Sequence, residues 1–188
     1  VDAGTSFDAV LLAGGRARRF GADKPAASAG GRRLIEWAAA AASGASRLIV
    51  VGPRRDVLPG AVVVREDPPG AGPVPALRAG LAEVRAPRLT LLAADLPFLR
   101  PAHVAALLEA AGERDGAVLV DQDGREQWLT GCWRAGALRA ALAAYEGASL
   151  RGLLGPLDPV PVTLPPDDRP AWYDCDTPEQ LTAAERLL

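Results

Sequence analysis

Phe7-Asp-Ala-Val-Leu-Leu-Ala-Gly-Gly-Arg-Ala-Arg-Arg-Phe-Gly-Ala-Asp-Lys24 is the stretch on which the fold turns. Its first part, Phe7 to Leu12, is a short apolar run that reads as a buried strand. Gly14 and Gly15 follow almost at once. Glycine lets backbone N–H groups approach an anion closely, so a strand ending in paired glycines offers a cradle for phosphate. The stretch closes on Lys24, the one lysine of the chain; the other 20 of its 21 basic residues are arginine. With no Asn, no Met and only two Ile, the composition shows a drift toward GC-rich codons. A lysine kept against that drift is either a chance surface residue or one whose task needs an ammonium, a compact point charge, rather than a planar guanidinium fork.

Working outward, apolar runs alternate with helical patterns. Strands are expected at Leu48 to Val51, Ala61 to Val64, Leu89 to Ala93, Ala117 to Val120 and Val160 to Leu164. Asp121-Gln-Asp-Gly124 is a turn signal, after which Gln127 to Trp133 is expected to return antiparallel. Helices are expected at Arg33 to Ser43, Pro75 to Val84, Ala102 to Ala111, Ala137 to Tyr145 and Leu150 to Leu154. A last helix runs from Pro178 to Leu188, with Thr177 as its N-cap. Such alternation predicts a mostly parallel sheet with helices on both faces. Ligands of these sheets bind at the carboxyl ends of the strands. The loops Ala13 to Lys24, Asp67 to Pro73 and Ala94 to Pro97 all fall there. Nothing divides residues 1–188 into more than one domain.

The net charge of −2 argues against broad, nonspecific binding of nucleic acid. Locally the balance is different. Arg16, Arg18, Arg19, Lys24, Arg32 and Arg33 are opposed by Asp23 alone, a patch suited to a small polyanion or else a solvated basic face. Cys132 and Cys175 have no metal spacing, and no signal peptide or membrane span is evident, so a reduced cytoplasm and no membrane partner are the expectations.

The first loop is not a Walker A motif, because Pro25 follows Lys24 where Ser or Thr is required. Nor is Gly70-Ala-Gly72-Pro-Val-Pro75 a dinucleotide fingerprint, because Pro75 replaces its third glycine. The first loop suits a triphosphate: Arg19 and Lys24 can neutralise charge on the phosphates and on departing pyrophosphate. Asp95 closes an apolar strand and can hold Mg²⁺ with phosphate oxygens completing the shell, or simply cap the turn before Pro97. Asp67 can accept from a base or a ribose, or serve an Asp-Pro turn. His103, in a helix's first turn, reads as structural or surface, and Ser149 has no His nearby to support a nucleophilic triad.

Together these blocks resemble a family. Leu-Ala-Gly-Gly-x-x-x-Arg-x-Gly-x-Asp-Lys, from Leu12 to Lys24, is similar to the signature of nucleotidyltransferases that include molybdenum cofactor guanylyltransferase. Glu66-Asp67, Gly72-Pro73 and Ala79-Gly80-Leu81 resemble its acidic residue and Gly-Pro-Leu-Ala-Gly stretch; Ala94-Asp95-Leu96-Pro97 resembles its Cys-Asp-x-Pro metal site. Gly147 to Leu154 and Asp176-Thr-Pro-Glu179 resemble its late blocks. The resemblance implies a three-layer α/β/α, Rossmann-like nucleotidyltransferase domain, glycosyltransferase-A-like. It implies transfer of GMP from GTP to the terminal phosphate of molybdopterin, with release of pyrophosphate and delivery proteins as partners. By the same resemblance Leu12, Ala13, Gly14, Gly15, Lys24, Asp67 and Asp95 bind the nucleotide. Arg19, Lys24 and Asp95 are catalytic, Asp95 holds Mg²⁺, and Asp174 and Asp176 serve the acceptor. Trp128 or Trp172 can line a pterin pocket.

The sequence also departs from the family. Val51 or Gly52 stands where relatives often carry an Asn that binds GTP, Ala94 replaces the usual Cys, and Asp174 and Asp176 replace asparagines of some members. Other readings are a CTP-dependent molybdopterin cytidylyltransferase, a nucleotidyltransferase acting on a sugar or alcohol phosphate, and a regulatory module that binds nucleotide without turnover. The Gly72-Pro73-Val-Pro-Ala76 run tilts the reading to guanine.

Overall fold

Phe7–Leu12 is a strand throughout, β1, and every residue in it is buried. Its side chains alternate between two cores: Phe7, Ala9 and Leu11 join one, Val10 and Leu12 the other. A strand that is apolar on both sides belongs at the centre of a sheet covered on both faces. A computed structural model, which describes residues 6–14, 26–54 and 58–188, shows that sheet.

In chain order, β1 is followed by the two-residue strands β2 (Ser28–Ala29) and β3 (Arg32–Arg33), then α1 (Leu34–Ala41), β4 (Leu48–Val51) and β5 (Val62–Val64). Next come α2 (Pro73–Glu83), β6 (Arg88–Ala93), α3 (Pro101–Ala111), β7 (Gly116–Val120) and β8 (Glu126–Arg134). The chain ends with α4 (Ala135–Ala144), α5 (Leu150–Leu154), β9 (Val160–Thr163) and α6 (Pro178–Leu187). Seven strands form the main sheet in the order β5-β4-β1-β6-β8-β7-β9. The pairs β1–β4, β1–β6, β4–β5 and β7–β9 are parallel, whereas β8 runs against both β6 and β7. The reversal is made by the expected turn: Asp121 Oδ1 accepts from the N–H groups of Asp123 and Arg125, each at 2.9 Å.

Helices α1 and α3 cover one face, through Ile35, Ala38, Val104 and Leu107. Helices α2, α4 and α5 cover the other, through Leu77, Leu81, Leu138, Leu142 and Leu153. The three-layer α/β/α expectation therefore holds. Gly80 sets the spacing of α2, since a Cβ there would come within 2.6 Å of Val10 Cγ1 and 2.9 Å of Val51 Cγ2. Among the described residues no helix is long and apolar enough to cross a membrane.

Beyond shifts of one or two residues at other element ends, such as α4 starting at Ala135 rather than Ala137, two differences from the reading of the sequence bear on the site. Helix α2 starts at Pro73 rather than Pro75. Both prolines fit its first turn, where backbone N–H groups have no partner inside the helix, so the second one does not mark the start. The antiparallel β2–β3 pair was not expected. Its turn residues Gly30 and Gly31 have φ of +58° and +74°, a conformation glycine adopts freely.

Candidate functional site at the carboxyl edge of the sheet

The site is built where β1 ends. Ala13 N–H donates to Val51 O at 2.8 Å, and Ala94 N–H donates to Leu12 O at 3.2 Å, so the chain leaving β1 at Leu12 and Ala13 is tied on both sides. From β1 the chain proceeds to β4 on one side; from β5 it crosses to β6 on the other. The crevice between β1 and β6 is thus a topological switch point, the place where open α/β sheets bind ligands.

Leu12 and Ala13 are buried and Gly14 is exposed at this rim. Gly15, Arg19 and Lys24 lie outside the described residues. Gly52 explains the departure after β4. Its φ is +148°, and a Cβ on it would come 2.8 Å from Ala13 C and 2.9 Å from Gly14 N. An Asn side chain has no room at Gly52, because the backbone of the first loop occupies the space.

Asp95 follows β6 by two residues and is half-buried. The C-terminal stretch meets it there: Cys175 N–H donates to Asp95 O at 3.3 Å. That bond brings exposed Asp174 and Asp176, one on either side of buried Cys175, to the edge of the Asp95 loop. The stretch is held firmly. Gln180 Oε1 accepts from Asp176 N–H at 2.7 Å and Thr177 N–H at 2.9 Å, while Gln180 N–H donates to Thr177 Oγ1 at 3.2 Å. Thr177 is the N-cap of α6, as expected. A small core of Ala29, Leu34, Phe98, Cys175 and Ala184 packs the β2–β3 hairpin, the Asp95 loop and α6 together.

The acidic pair after β5 divides its labour. Burial alternates along the chain: Val63, Arg65 and Asp67 are exposed, while Val62 and Val64 are half-buried and Glu66 is buried. Asp67, singled out in the sequence, therefore faces solvent. Glu66, passed over in its favour, is only 6% exposed. Glu66 Oε1 accepts from Gly70 N–H at 2.8 Å, and its Oε2 is buried with no partner among the described residues. Its carboxylate faces the first loop: a Cβ built on Gly14 would sit 3.4 Å from Oε1 and 3.7 Å from Oε2. The strand parity, with Glu66 in phase with Val62 and Val64, is a signal that could have found it.

The remaining candidates are accounted for structurally. His103 Nδ1 accepts from Arg100 N–H at 3.2 Å at the start of α3, and burial together with the Arg100 charge lowers its pKa below the usual 6.5. Ser149 Oγ accepts from Gly152 N–H at 3.0 Å as the N-cap of α5. Burial pushes the Cys132 thiol up to about 11, which leaves no thiolate near neutral pH. Among the described residues no three His, Cys, Asp or Glu side chains group as a metal cage. Trp133 is core, and Trp172 lines a recess with His103, Asp167 and Arg169.

A central strand that leads into glycine at a switch point, with carboxylates just after the strands to either side, is the organisation of an α/β domain that handles nucleotides. Residues 9–160 match the family model of the MobA-like NTP transferase domain. The chain belongs to that family and is a nucleotidyltransferase. A probable molybdenum cofactor guanylyltransferase of Mycobacterium avium is 30% identical to it over 166 residues, covering 83% of this chain and 84% of the relative. A molybdenum cofactor guanylyltransferase of Cereibacter sphaeroides is 33% identical over 190 residues, 95% of each chain. Among solved structures, molybdopterin-guanine dinucleotide biosynthesis protein A from Archaeoglobus fulgidus shares the fold. Its TM-score is 0.72 at 20% identity, over 96% of this chain and 97% of that one.

Proposed function

We propose that this nucleotidyltransferase transfers GMP from GTP to the terminal phosphate of molybdopterin. A phosphate oxygen of the acceptor attacks the α-phosphorus in line, the bond to the β-phosphate breaks, and pyrophosphate leaves. The observation that supports this reading best is the Cereibacter sphaeroides relative of that name, aligned over 95% of both chains. The chemistry agrees. The acceptor phosphate is itself the nucleophile, so the reaction needs no cysteine, and both cysteines here are buried. The protein's part is positioning and charge neutralisation.

In this reading Leu12, Ala13, Gly14 and Gly15 cradle the triphosphate, and Arg19 and Lys24 neutralise it. Asp67, on the exposed side of its turn, serves the ribose hydroxyls. Mg²⁺ typically takes one or two carboxylates, with phosphate oxygens and waters completing its shell. Asp95, half-buried after β6 and next to the end of β1, offers one such carboxylate and would hold the ion. When bound, Mg²⁺ neutralises charge on the reacting phosphates. Asp174 and Asp176 orient the acceptor, and Trp172 offers its pterin an aromatic surface.

Isothermal titration in the presence of Mg²⁺ tests the base. GTP is expected to bind at least about tenfold tighter than CTP, a difference of about 1.4 kcal/mol. Pyrophosphate release with molybdopterin as acceptor tests the transfer. Equal or inverted affinities, or release indifferent to molybdopterin, would overturn the proposal.

A further inference from the structure

Buried polar groups in proteins are nearly always hydrogen-bonded, and one that is not calls for a reason. Glu66 is such a case, with Oε1 engaged by Gly70 N–H and Oε2 buried without a partner among the described residues. Nothing about holding the turn requires the second oxygen. Its position, against Gly14 at the edge of the phosphate cradle, points to a ligand as the missing donor. That donor is not a phosphate, which is an anion and an acceptor like the carboxylate itself. A nucleotide otherwise offers ribose hydroxyls and the edge of its base. Guanine presents N1–H and the N2 amino group side by side, two donors in one direction. Cytosine and adenine each present a single amino group beside a ring nitrogen that accepts, and that lone pair would face the carboxylate. A buried acceptor left unpaired by the wrong ligand is a strong source of discrimination.

Strand order supports the same orientation. Glu66 follows β5 and Asp95 follows β6, on opposite sides of β1. Three strand spacings separate those ends, about 14 Å at the usual interstrand distance. A nucleotide laid across the β1 loop would place its base at the Glu66 end and its phosphates at the Asp95 end.

We infer that Glu66, rather than Asp67, selects the base, its carboxylate accepting from the N1–H and N2 amino edge of guanine. This inference rests on the guanylyltransferase reading, and its test separates the two. Affinities for GTP, CTP, xanthosine triphosphate and 2′-deoxy-GTP are measured by titration calorimetry on the full chain and on Glu66→Gln and Asp67→Asn. Xanthine replaces the amino group of guanine with a carbonyl, which a carboxamide can donate to and a carboxylate cannot. Glu66→Gln is expected to lower the GTP-to-CTP preference by at least about tenfold, to keep CTP affinity within about threefold, and to gain xanthosine triphosphate. Asp67→Asn is expected to keep the original ranking of bases.

If the unaltered protein prefers GTP and Glu66→Gln keeps that preference, this inference falls while the guanylyltransferase reading stands. If the unaltered protein has no preference for GTP, the reading itself falls and the inference with it. Equal weakening of GTP and CTP in Glu66→Gln, with 2′-deoxy-GTP already weak on the unaltered protein, would assign the oxygen to a ribose hydroxyl and overturn the choice of base. Should Glu66→Gln fail to reach the native circular dichroism spectrum, Glu66→Asp, which withdraws the carboxylate by one methylene, replaces it. It must weaken GTP by at least about tenfold and CTP by no more than about threefold; equal weakening of both overturns the inference.

Discussion

At the scale of single residues, two charges carry the proposed chemistry by different routes. Asp95 follows a strand whose burial does not depend on its carboxylate, since β6 is buried from Arg88 to Ala93. Asp95→Ala and Asp95→Asn are therefore expected to abolish turnover with little change in melting temperature, read from pyrophosphate release and a thermal melt on the same sample. Near-normal release in purified Asp95→Ala would contradict the assignment. Lys24 rests on the sequence alone, as the one lysine among 21 basic residues. A guanidinium is planar and larger than an ammonium and would overfill a loop closed around phosphates. Losing a preorganised cation at developing charge typically costs on the order of 10²–10³ in kcat. Lys24→Ala is expected to lose about that much and Lys24→Arg a large part of it. Full activity in Lys24→Arg would make the lysine an accident of codon usage.

At the scale of elements, what was legible depended on how local its cause is. Strands β1, β4 and β6 were plain because unbroken apolar runs bounded by turn signals have few other readings. The cap of α6 was plain because Thr177 and Gln180 satisfy each other within one turn. The β2–β3 hairpin was not, because its buried anchor Ala29 packs with Phe98, Cys175 and Ala184, all far off in the sequence. Gly52 was visible only as a missing Asn; its reason is the Ala13–Gly14 backbone, brought there by sheet pairing. Glu66 was legible by parity, yet Asp67 drew attention because the family resemblance points to it. The start of α3 carries a pH prediction. His103 accepts from Arg100 N–H through Nδ1, which requires that nitrogen to be unprotonated, while Asp167 pairs with Arg100 at 3.2 Å. Burial and Arg100 lower the pKa of His103 and Asp167 opposes the shift, so the unfolded chain binds its proton more readily. Stability from this cap is present above the unfolded value of 6.5 and falls as pH drops through the lower folded one. As pH falls from 6.5 through the lower folded value, the melting temperature of the unaltered protein should therefore decline more steeply than that of His103→Gln. Parallel declines would show that the histidine does not couple to folding.

At the scale of the whole molecule, the site draws on three packed clusters, and the acceptor side alone leans on the smallest of them. The two large cores lie on either face of the main sheet and hold β1, β4 and β5, hence Gly14, Gly52 and Glu66. Ala94 and Leu96, on either side of Asp95, belong to one of the large cores, while the small core of Ala29, Leu34, Phe98, Cys175 and Ala184 packs Phe98, at the far end of the Asp95 loop, against the C-terminal stretch. Phe98 is its largest member, 2% exposed, with Tyr173 tilted against it at 5.4 Å between ring centres. Removing such a ring typically costs about 3–5 kcal/mol. In a chain of this size each kcal/mol shifts the melting temperature by roughly 2–4 °C. Phe98→Ala is thus expected to melt on the order of 10 °C lower while staying folded at low temperature. Its consequences for function should split. GTP affinity measured without metal depends on the glycine turn and the Glu66 side, and should stay within about threefold. Transfer depends on Asp95 and on the acceptor residues that Cys175 ties to it, and should fall by at least about tenfold. Equal loss of metal-free GTP binding and transfer, measured well below the midpoint of melting, would mean that the small core supports the nucleotide side of the site as much as the acceptor side.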